Sequence, residues 1–209
     1  MPTIGLIGSG HIGTAIARQA VAHGHDVVLS NSRGPETLAD LVAELGDRAR
    51  AGTAEEAGAA GDLVVVTVPF KNYSQVPVEP LAGKVVIDTN NYYFERDERW
   101  PDIDEGRTSP SELLAEHLPT SRVVKAFNAI QALHIVDAAL PAGDPARRAL
   151  AIAGDDQEAK QVVSDLIDEF GFDVVDAGPL VEGRRFDRDK PAYGAEVGVD
   201  GMREAIARG

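Results

Sequence analysis

The chain has 209 residues, contains no cysteine and carries a formal net charge of −14. A chain of this length can bury a core without cross-links, and the missing thiols exclude disulfides, thiolate metal sites and a cysteine nucleophile. The acidic balance argues against nucleic acid as a partner, because phosphates require a basic face. The longest apolar run, residues 63–69, is too short for a membrane span. The N-terminus lacks the basic region of a signal peptide, so we expect a cytoplasmic protein.

Apolar, β-branched runs alternate with helical patterns from the N-terminus to about residue 176. This alternation predicts stacked β–α units and a mostly parallel sheet whose strands are covered on both faces. We therefore expect a doubly wound α/β fold. The predicted strands span residues 3–7, 26–30, 63–68, 85–88, 122–126, 149–153 and 173–176.

Several helix ends can be predicted from local signals. Residues 109–112 form a capping box with proline at the first helical position, which predicts a helix over 110–118. Asp155 or Asp156 should cap a helix that runs to residue 170, before Gly171. The remaining segments are predicted as a short helix between loops (49–61), a loop (90–108), and a tail after 178 that ends in a short helix (200–208).

Three glycines, Gly8, Gly10 and Gly13, follow the first strand and precede a helical run. In this spacing the first glycine permits a tight turn, the second lets backbone approach a pyrophosphate, and the third lets the helix pack on the strand. The free N–H groups of the helix add an anion site. A plain loop can share the pattern, but its position between a strand and a helix favours a nucleotide. We predict a Rossmann-type domain over residues 1–180 and an extension over 181–209.

The second strand indicates which dinucleotide is bound. It ends in Ser30, Asn31, Ser32 and Arg33, without the acid that holds the ribose 2′-hydroxyl of NAD. An acid would repel a 2′-phosphate, whereas hydroxyls, an amide and a guanidinium would receive it. The sequence therefore predicts NADPH, with an ordinary surface arginine at position 33 as the alternative.

Further motifs extend over most of the chain. They are Thr67-Val68-Pro69, Asp88-Thr89-Asn90-Asn91, Val124-Lys125-Ala126-Phe127-Asn128 and Asp176-Ala177-Gly178-Pro179-Leu180. With the glycine turn and Asn31-Ser32-Arg33, they resemble the NADPH-dependent coenzyme F420 reductases, the F420:NADP oxidoreductases. The chain is also similar to the NADPH-binding domain of the STEAP ferric reductases. The motif of residues 124–128, at the end of the predicted strand 122–126, is the most specific of these motifs.

This resemblance implies hydride transfer between NADP(H) and a flat acceptor, coenzyme F420 or a flavin, in a homodimer. It places Ser9, His11 and Ile12 at the pyrophosphate with the glycines, and Asn31, Ser32 and Arg33 at the 2′-phosphate. The other implied cofactor contacts are Val68 and Pro69 along the dinucleotide, and Asn90, Ala126 and Asn128 near the nicotinamide. The chain departs from the F420 enzymes at Asn128, where they carry histidine, and in its polar residues 182–209.

The catalytic residues are unknown from sequence, and the candidates are Asn128 and Lys125. A carbonyl or imine reductase needs a proton donor, and Lys125 is the only lysine in a predicted site strand, where it could equally anchor a phosphate or carboxylate. Asn128 could instead cap the next helix. A flavin-type acceptor needs no donor, because its ring nitrogens exchange protons with water. The leading hypothesis is therefore hydride transfer to such an acceptor; the alternatives are a small carbonyl or imine reductase and a non-catalytic NADP(H)-binding module.

Three other groups of residues have two interpretations each. The aromatic residues of 92–100 form either a lid over the redox ring or packing at the sheet edge. The basic residues of 184–190 either hold an anionic coenzyme tail or lie in a solvated loop. Asp102, Asp104 and Glu105 suggest a solvated loop rather than a cation site, and no metal is predicted. His23 and His25 are predicted at the surface. About 30 residues after Gly178 are too few for a second domain, so we expect a partner subunit to close the site.

Overall fold

The structure, a computed structural model, describes residues 1–209 and contains one eight-stranded sheet. Its strand order is β3-β2-β1-β4-β5-β6-β7-β8. The strands are β1 (Thr3–Ile7), β2 (Asp26–Ser30), β3 (Ala49–Ala51), β4 (Leu63–Val66), β5 (Val85–Asp88), β6 (Arg122–Lys125), β7 (Ala149–Gly154) and β8 (Asp173–Asp176).

Helices cover both faces of this sheet, in the layered arrangement that buries parallel strands. They are α1 (His11–Ala22), α2 (Ala39–Leu45), α3 (Ala54–Ala60), α4 (Phe94–Asp97), α5 (Pro101–Asp104), α6 (Pro110–His117), α7 (Ala132–Asp137), α8 (Gln157–Glu169) and α9 (Val199–Ala207). No helix combines the length and apolarity required to cross a bilayer.

The first six strands are parallel and follow the Rossmann order 3-2-1-4-5-6, which confirms the predicted fold class. β7 runs antiparallel to β6, and β8 is parallel to β7. From β1 the chain continues to β2 and β3 on one side of the sheet, and from β4 it continues to β5 and β6 on the other side. Between the carboxyl ends of β1 and β4 lies the position at which such sheets bind ligands.

Successive side chains of each strand point to opposite faces of the sheet and join two separate hydrophobic cores. The larger core joins Ile4, Leu6 and Ile87 to α1, α7 and α8, and the smaller joins Val64, Val66 and their neighbours to α6. A third cluster packs β7 against α9, through residues such as Met202 and Phe186. The extension after residue 180 therefore lies on the sheet.

The differences from the predicted elements have local causes. Residues 49–51, predicted as part of a helical segment, form the edge strand β3 because they pair with β2. The predicted loop over 90–108 contains the one-turn helices α4 and α5. His25 is not at the surface: it is 2% exposed, and its ring nitrogens contact the Pro2 carbonyl at 3.1 Å and the Glu169 carboxylate at 2.9 Å.

Candidate functional site

The glycine turn connects β1 to α1, and its three glycines have different surroundings. Gly8 has φ +108°, and a Cβ there would lie 2.2 Å from the Thr67 carbonyl oxygen. A Cβ on Gly13 would lie 2.3 Å from the Gly8 carbonyl oxygen. Around Gly10, no protein atom lies within 4 Å of the position of a Cβ. The protein itself therefore requires glycine at positions 8 and 13, while the space over Gly10 is open for a ligand.

This contrast predicts two different outcomes of glycine substitution. Gly13→Ala should destabilise the protein strongly, because its Cβ would collide with backbone. Gly10→Ala should leave the melting temperature unchanged and weaken NADPH binding, because the methyl group occupies the approach of the pyrophosphate. Thermal melting and fluorescence titration with NADPH measure the two effects. If folded Gly10→Ala bound NADPH as tightly as the wild type, the pyrophosphate would not bind at this turn.

A cleft of about 330 Å³ opens beside the turn, at the carboxyl ends of β1, β2 and β4. Of the predicted cofactor residues, the structure brings Gly8, Ser9, Gly10, Asn31, Ser32, Arg33, Val68 and Pro69 into its lining. No Asp or Glu lines the cleft, although the chain holds 34 of them. An anion placed here therefore meets no lining carboxylate.

Seven lining residues were not predicted as cofactor contacts. Ile7 and Ser30 are the last residues of β1 and β2, and the other five are Ala54, Thr67, Asn72, Gln75 and Val76. Thr67 directly follows β4, a position that the strand pattern could have identified. The other four come from α3 and from the turn after Pro69, which sequence spacing does not place near the glycines. Six predicted residues do not line this cleft: His11, Ile12, Gly13, Asn90, Ala126 and Asn128. His11 is exposed on the outer side of the turn, and Ile12 packs against the larger core.

The loop after β2 is held by its own side chains. The Asn31 amide donates from Nδ2 to Thr37 Oγ1 at 2.9 Å and accepts at Oδ1 from the Arg33 backbone N–H at 2.9 Å. The Arg33 side chain is exposed in the cleft and forms no ion pair in the protein. Its guanidinium is therefore available to an anionic ligand.

At the end of β5, a buried carboxylate starts a chain of hydrogen bonds. Asp88 Oδ1 accepts from the Asn90 backbone N–H at 2.9 Å, and Asn90 Oδ1 accepts from the Val68 N–H at 3.2 Å. Burial raises the pKa of Asp88, and the attraction of the Lys125 ammonium only partly opposes that rise. The Asn90 Nδ2 is buried without a partner. These hydrogen bonds fix the loop that borders the cleft.

At the end of β6, the backbone turns sharply into Asn128. Phe127 has φ +58°, which a bulky residue rarely adopts and which the surrounding packing must enforce. Asn128 is 4% exposed and donates from Nδ2 to the Phe186 carbonyl at 3.0 Å and to Asn91 Oδ1 at 3.2 Å. Its Oδ1 is buried without a partner. The next helix, α7, has Gln131 as its N-cap, so the interpretation of Asn128 as a helix cap is wrong.

The other two predicted residues at the end of β6, Ala126 and Lys125, are buried. Ala126 is fully buried in the larger core. Lys125 is fully buried as well, and its ammonium pairs with Asp187 and lies 5.5 Å from the centre of the Phe186 ring. A lysine in this position is poorly placed to protonate a bound substrate.

The aromatic segment packs around Phe70, on the turn that follows Pro69. The Tyr92 and Trp100 rings meet the Phe70 ring edge-on, at centroid distances of 5.8 and 5.2 Å. A second cleft, of about 440 Å³, opens between this segment and the extension. Its walls include Tyr92, Phe94, Arg188 and Lys190.

The basic cluster of the extension is largely paired with acids. Arg184 contacts Glu112 at 2.7 Å and two backbone carbonyls, and Arg188 contacts Glu95 at 2.8 Å. Arg185 pairs with Glu182. Arg184 and Arg188 are therefore both paired within the protein. Both line the second cleft with Lys190, and so do Asp104, Asp187 and Asp189.

A Rossmann sheet with a glycine turn and an acid-free nucleotide cleft at its switch point defines a dinucleotide-dependent protein. The model of the family described as NADP oxidoreductase coenzyme F420-dependent matches residues 3–92. Over these residues the chain is similar to this family of NADP-dependent oxidoreductases.

Individual relatives extend the similarity over most of the chain. Metalloreductase STEAP3 of Rattus norvegicus is 35% identical over 186 residues, which cover 88% of this chain and 35% of that protein. The chain spans about a third of the length of the curated relatives it matches. A solved hypothetical protein, SMa0349 from Sinorhizobium meliloti, has a TM-score of 0.81 and 30% identity, covering 96% of this chain and 97% of that one. A structure named as an F420-dependent NADP-reductase, from Arthrobacter sp. fb24, shares the fold with a TM-score of 0.73 and 24% identity, covering 88% and 87%.

Proposed function

We propose that the cleft binds NADPH in preference to NADH, and that the protein transfers a hydride between NADP(H) and a deazaflavin or flavin. The observation that carries the cofactor preference is the absence of any carboxylate from the cleft, together with an unpaired Arg33. A 2′-phosphate would meet Arg33, Ser32 and Asn31 there, and the pyrophosphate would lie over Gly10.

The acceptor is proposed to dock beside Asn128 and the 90–91 turn. The dinucleotide would extend from the cleft past Val68 toward this edge, as ligands do at a switch point. The second cleft begins next to these amides, because Tyr92 follows Asn91 and Asp187 follows Phe186. Its wall of Tyr92 and Phe94 suits a flat ring. Arg188 and Lys190 would face an anionic tail there, but Glu95 already pairs with Arg188, and Asp104, Asp187 and Asp189 share the lining.

The identity of the acceptor can be tested with NADPH oxidation, followed by the absorbance of the nicotinamide. Coenzyme F420, FMN, FAD and a ferric chelate are offered in turn to the same enzyme sample. We expect turnover with a deazaflavin or flavin. A protein that binds NADPH tightly but oxidises it with none of the four would be a binding module instead.

We also propose a homodimer. Leu133 and Val136 on α7 are 67% and 44% exposed, and they form, with His11, a groove on the outer side of the glycine turn. A second copy of the chain is the simplest cover for this apolar surface, because two-fold dimers are the commonest assembly. The groove lies next to the cofactor turn, so the partner would also help to close the site.

Light scattering should therefore give twice the chain mass of 22.1 kDa at micromolar concentration. Leu133→Arg should shift the protein to the monomer, because it places a charge in the apolar contact. Val162→Arg, at an exposed residue on α8, is the matched control and should stay dimeric. A wild-type monomer with full activity would contradict the proposal.

A further inference from the structure

The two residues that flank the end of β6 hold the same segment of the extension. We name residues 180–187 the strap. Lys125 binds the strap at Asp187 through its ammonium, and Asn128 binds it at the Phe186 carbonyl. These contacts join residues about 60 positions apart in the sequence. The strap is therefore attached to the strand end by two neighbouring side chains.

The strap also lies directly on the lysine chain. A Cβ on Gly183 would approach Lys125 Cδ to 2.8 Å, so only a glycine lets the strap backbone come this close. The Phe186 ring covers the ammonium at 5.5 Å, within the range of a cation–π contact. The Lys125 side chain thus sets the distance of the strap backbone from β6 and the position of Phe186.

Charge makes this attachment specific. A fully buried ammonium is strongly unfavourable unless a carboxylate accompanies it, so Lys125 requires Asp187 to stay in place. Lys125 lies opposite Asp88 in the β5–β6 register, and its charge also attracts that buried carboxylate. Removing the ammonium would leave the Asp187 carboxylate without its cation and would raise the pKa of the buried Asp88 carboxyl further.

The strap in turn sets the orientation of the Asn128 amide. The Phe186 carbonyl accepts only from an N–H group, so it binds Nδ2 and directs Oδ1 away from the strap. That Oδ1 has no partner in the protein. A reversed amide would place two oxygens against each other.

We propose that Lys125 is a positioning residue for hydride transfer, which acts through the strap to orient the Asn128 amide. This inference rests on the proposed function of the Asn128 edge. It assigns no proton transfer to Lys125. It predicts that an uncharged pair able to hold the strap can replace the ion pair.

Three variants separate this role from the alternatives. Lys125→Met removes the ammonium, and the double variant Lys125→Met with Asp187→Leu replaces the ion pair by apolar side chains, an exchange that buried pairs often tolerate. Lys160→Met is the matched control: Lys160 is 7% exposed, pairs with Asp176 at 2.8 Å and donates to the Gly178 carbonyl, and it forms no hydrogen bond with Asn128 or the strap.

We expect Lys125→Met to slow single-turnover NADPH oxidation about tenfold, a loss typical of displaced positioning groups. The NADPH dissociation constant should stay unchanged, and the double variant should recover most of the lost rate. Lys160→Met should lose stability without loss of rate. A stable double variant that remains as slow as Lys125→Met would make Lys125 a catalytic residue and overturn the proposal.

The side-chain amide resonances of Asn128 supply a readout that needs no acceptor. They should shift in Lys125→Met, return toward the wild-type position in the double variant, and stay unchanged in Lys160→Met. Unshifted resonances in Lys125→Met would overturn the inference even if turnover were slow. Absence of turnover with every acceptor would instead contradict the proposed function, while the resonances still test the strap.

Discussion

Replacing Arg33 with Asp should weaken NADPH binding more than any other single change in the cleft. The substitution removes a charge-assisted contact to the 2′-phosphate, which contributes about 1.5–3 kcal/mol, or roughly 10- to 150-fold in Kd. The new carboxylate adds repulsion in a cleft that otherwise has none. NADH lacks the 2′-phosphate, so its affinity should change little. Fluorescence titration of both cofactors gives the ratio directly.

A second charge reversal on the same half of the sheet controls for net charge. Arg50 on β3 is also exposed and does not line the cleft. Arg50→Asp should leave both dissociation constants unchanged. If the wild type bound NADPH and NADH equally, or if Arg33→Asp reduced both affinities alike, Arg33 would be an ordinary surface arginine.

The elements that the sequence predicted well are those specified by short-range signals. The glycine turn, the Ser109 cap of α6 and the Asp156 cap of α8 each depend on residues within a few positions of one another. The acid-free end of β2 is equally local. These signals were sufficient to predict the fold class and one end of the candidate site.

The features that sequence reasoning missed depend on contacts between distant segments. β3 consists of Ala49, Arg50 and Ala51, which have no strand preference, and it forms only because β2 leaves an unpaired edge. The burial of His25 depends on Glu169, which lies on α8. The strap is more remote still, because no spacing rule connects Phe186 with Asn128.

Asp88 is an intermediate case. A single carboxylate at the end of an apolar strand is visible in the sequence, and its burial could have been suspected. Its part in the site, through the N–H of Asn90 and the N–H of Val68, requires the three-dimensional turn. Sequence reasoning therefore identified the motif of residues 88–91 by resemblance but not the carboxylate that organises it.

Replacing Asn128 with Ala should slow hydride transfer and leave NADPH affinity nearly unchanged. Asn128 lies beyond the cleft that would hold the adenosine half, and its Oδ1 is the unpartnered acceptor at the proposed acceptor edge. The variant also frees the Phe186 carbonyl, which should lower stability by about 1–3 kcal/mol. Single-turnover NADPH oxidation and thermal melting separate the two effects.

Gln19→Ala supplies a chemically matched control. Gln19 on α1 is a buried amide that donates to a backbone carbonyl, that of Ile135 on α7, and it lines neither cleft. It should lose a comparable amount of stability, because it too leaves a buried carbonyl unpaired. Its rate of hydride transfer should match the wild type. If both variants melt earlier and both keep the wild-type rate, Asn128 is a structural amide and the acceptor binds elsewhere.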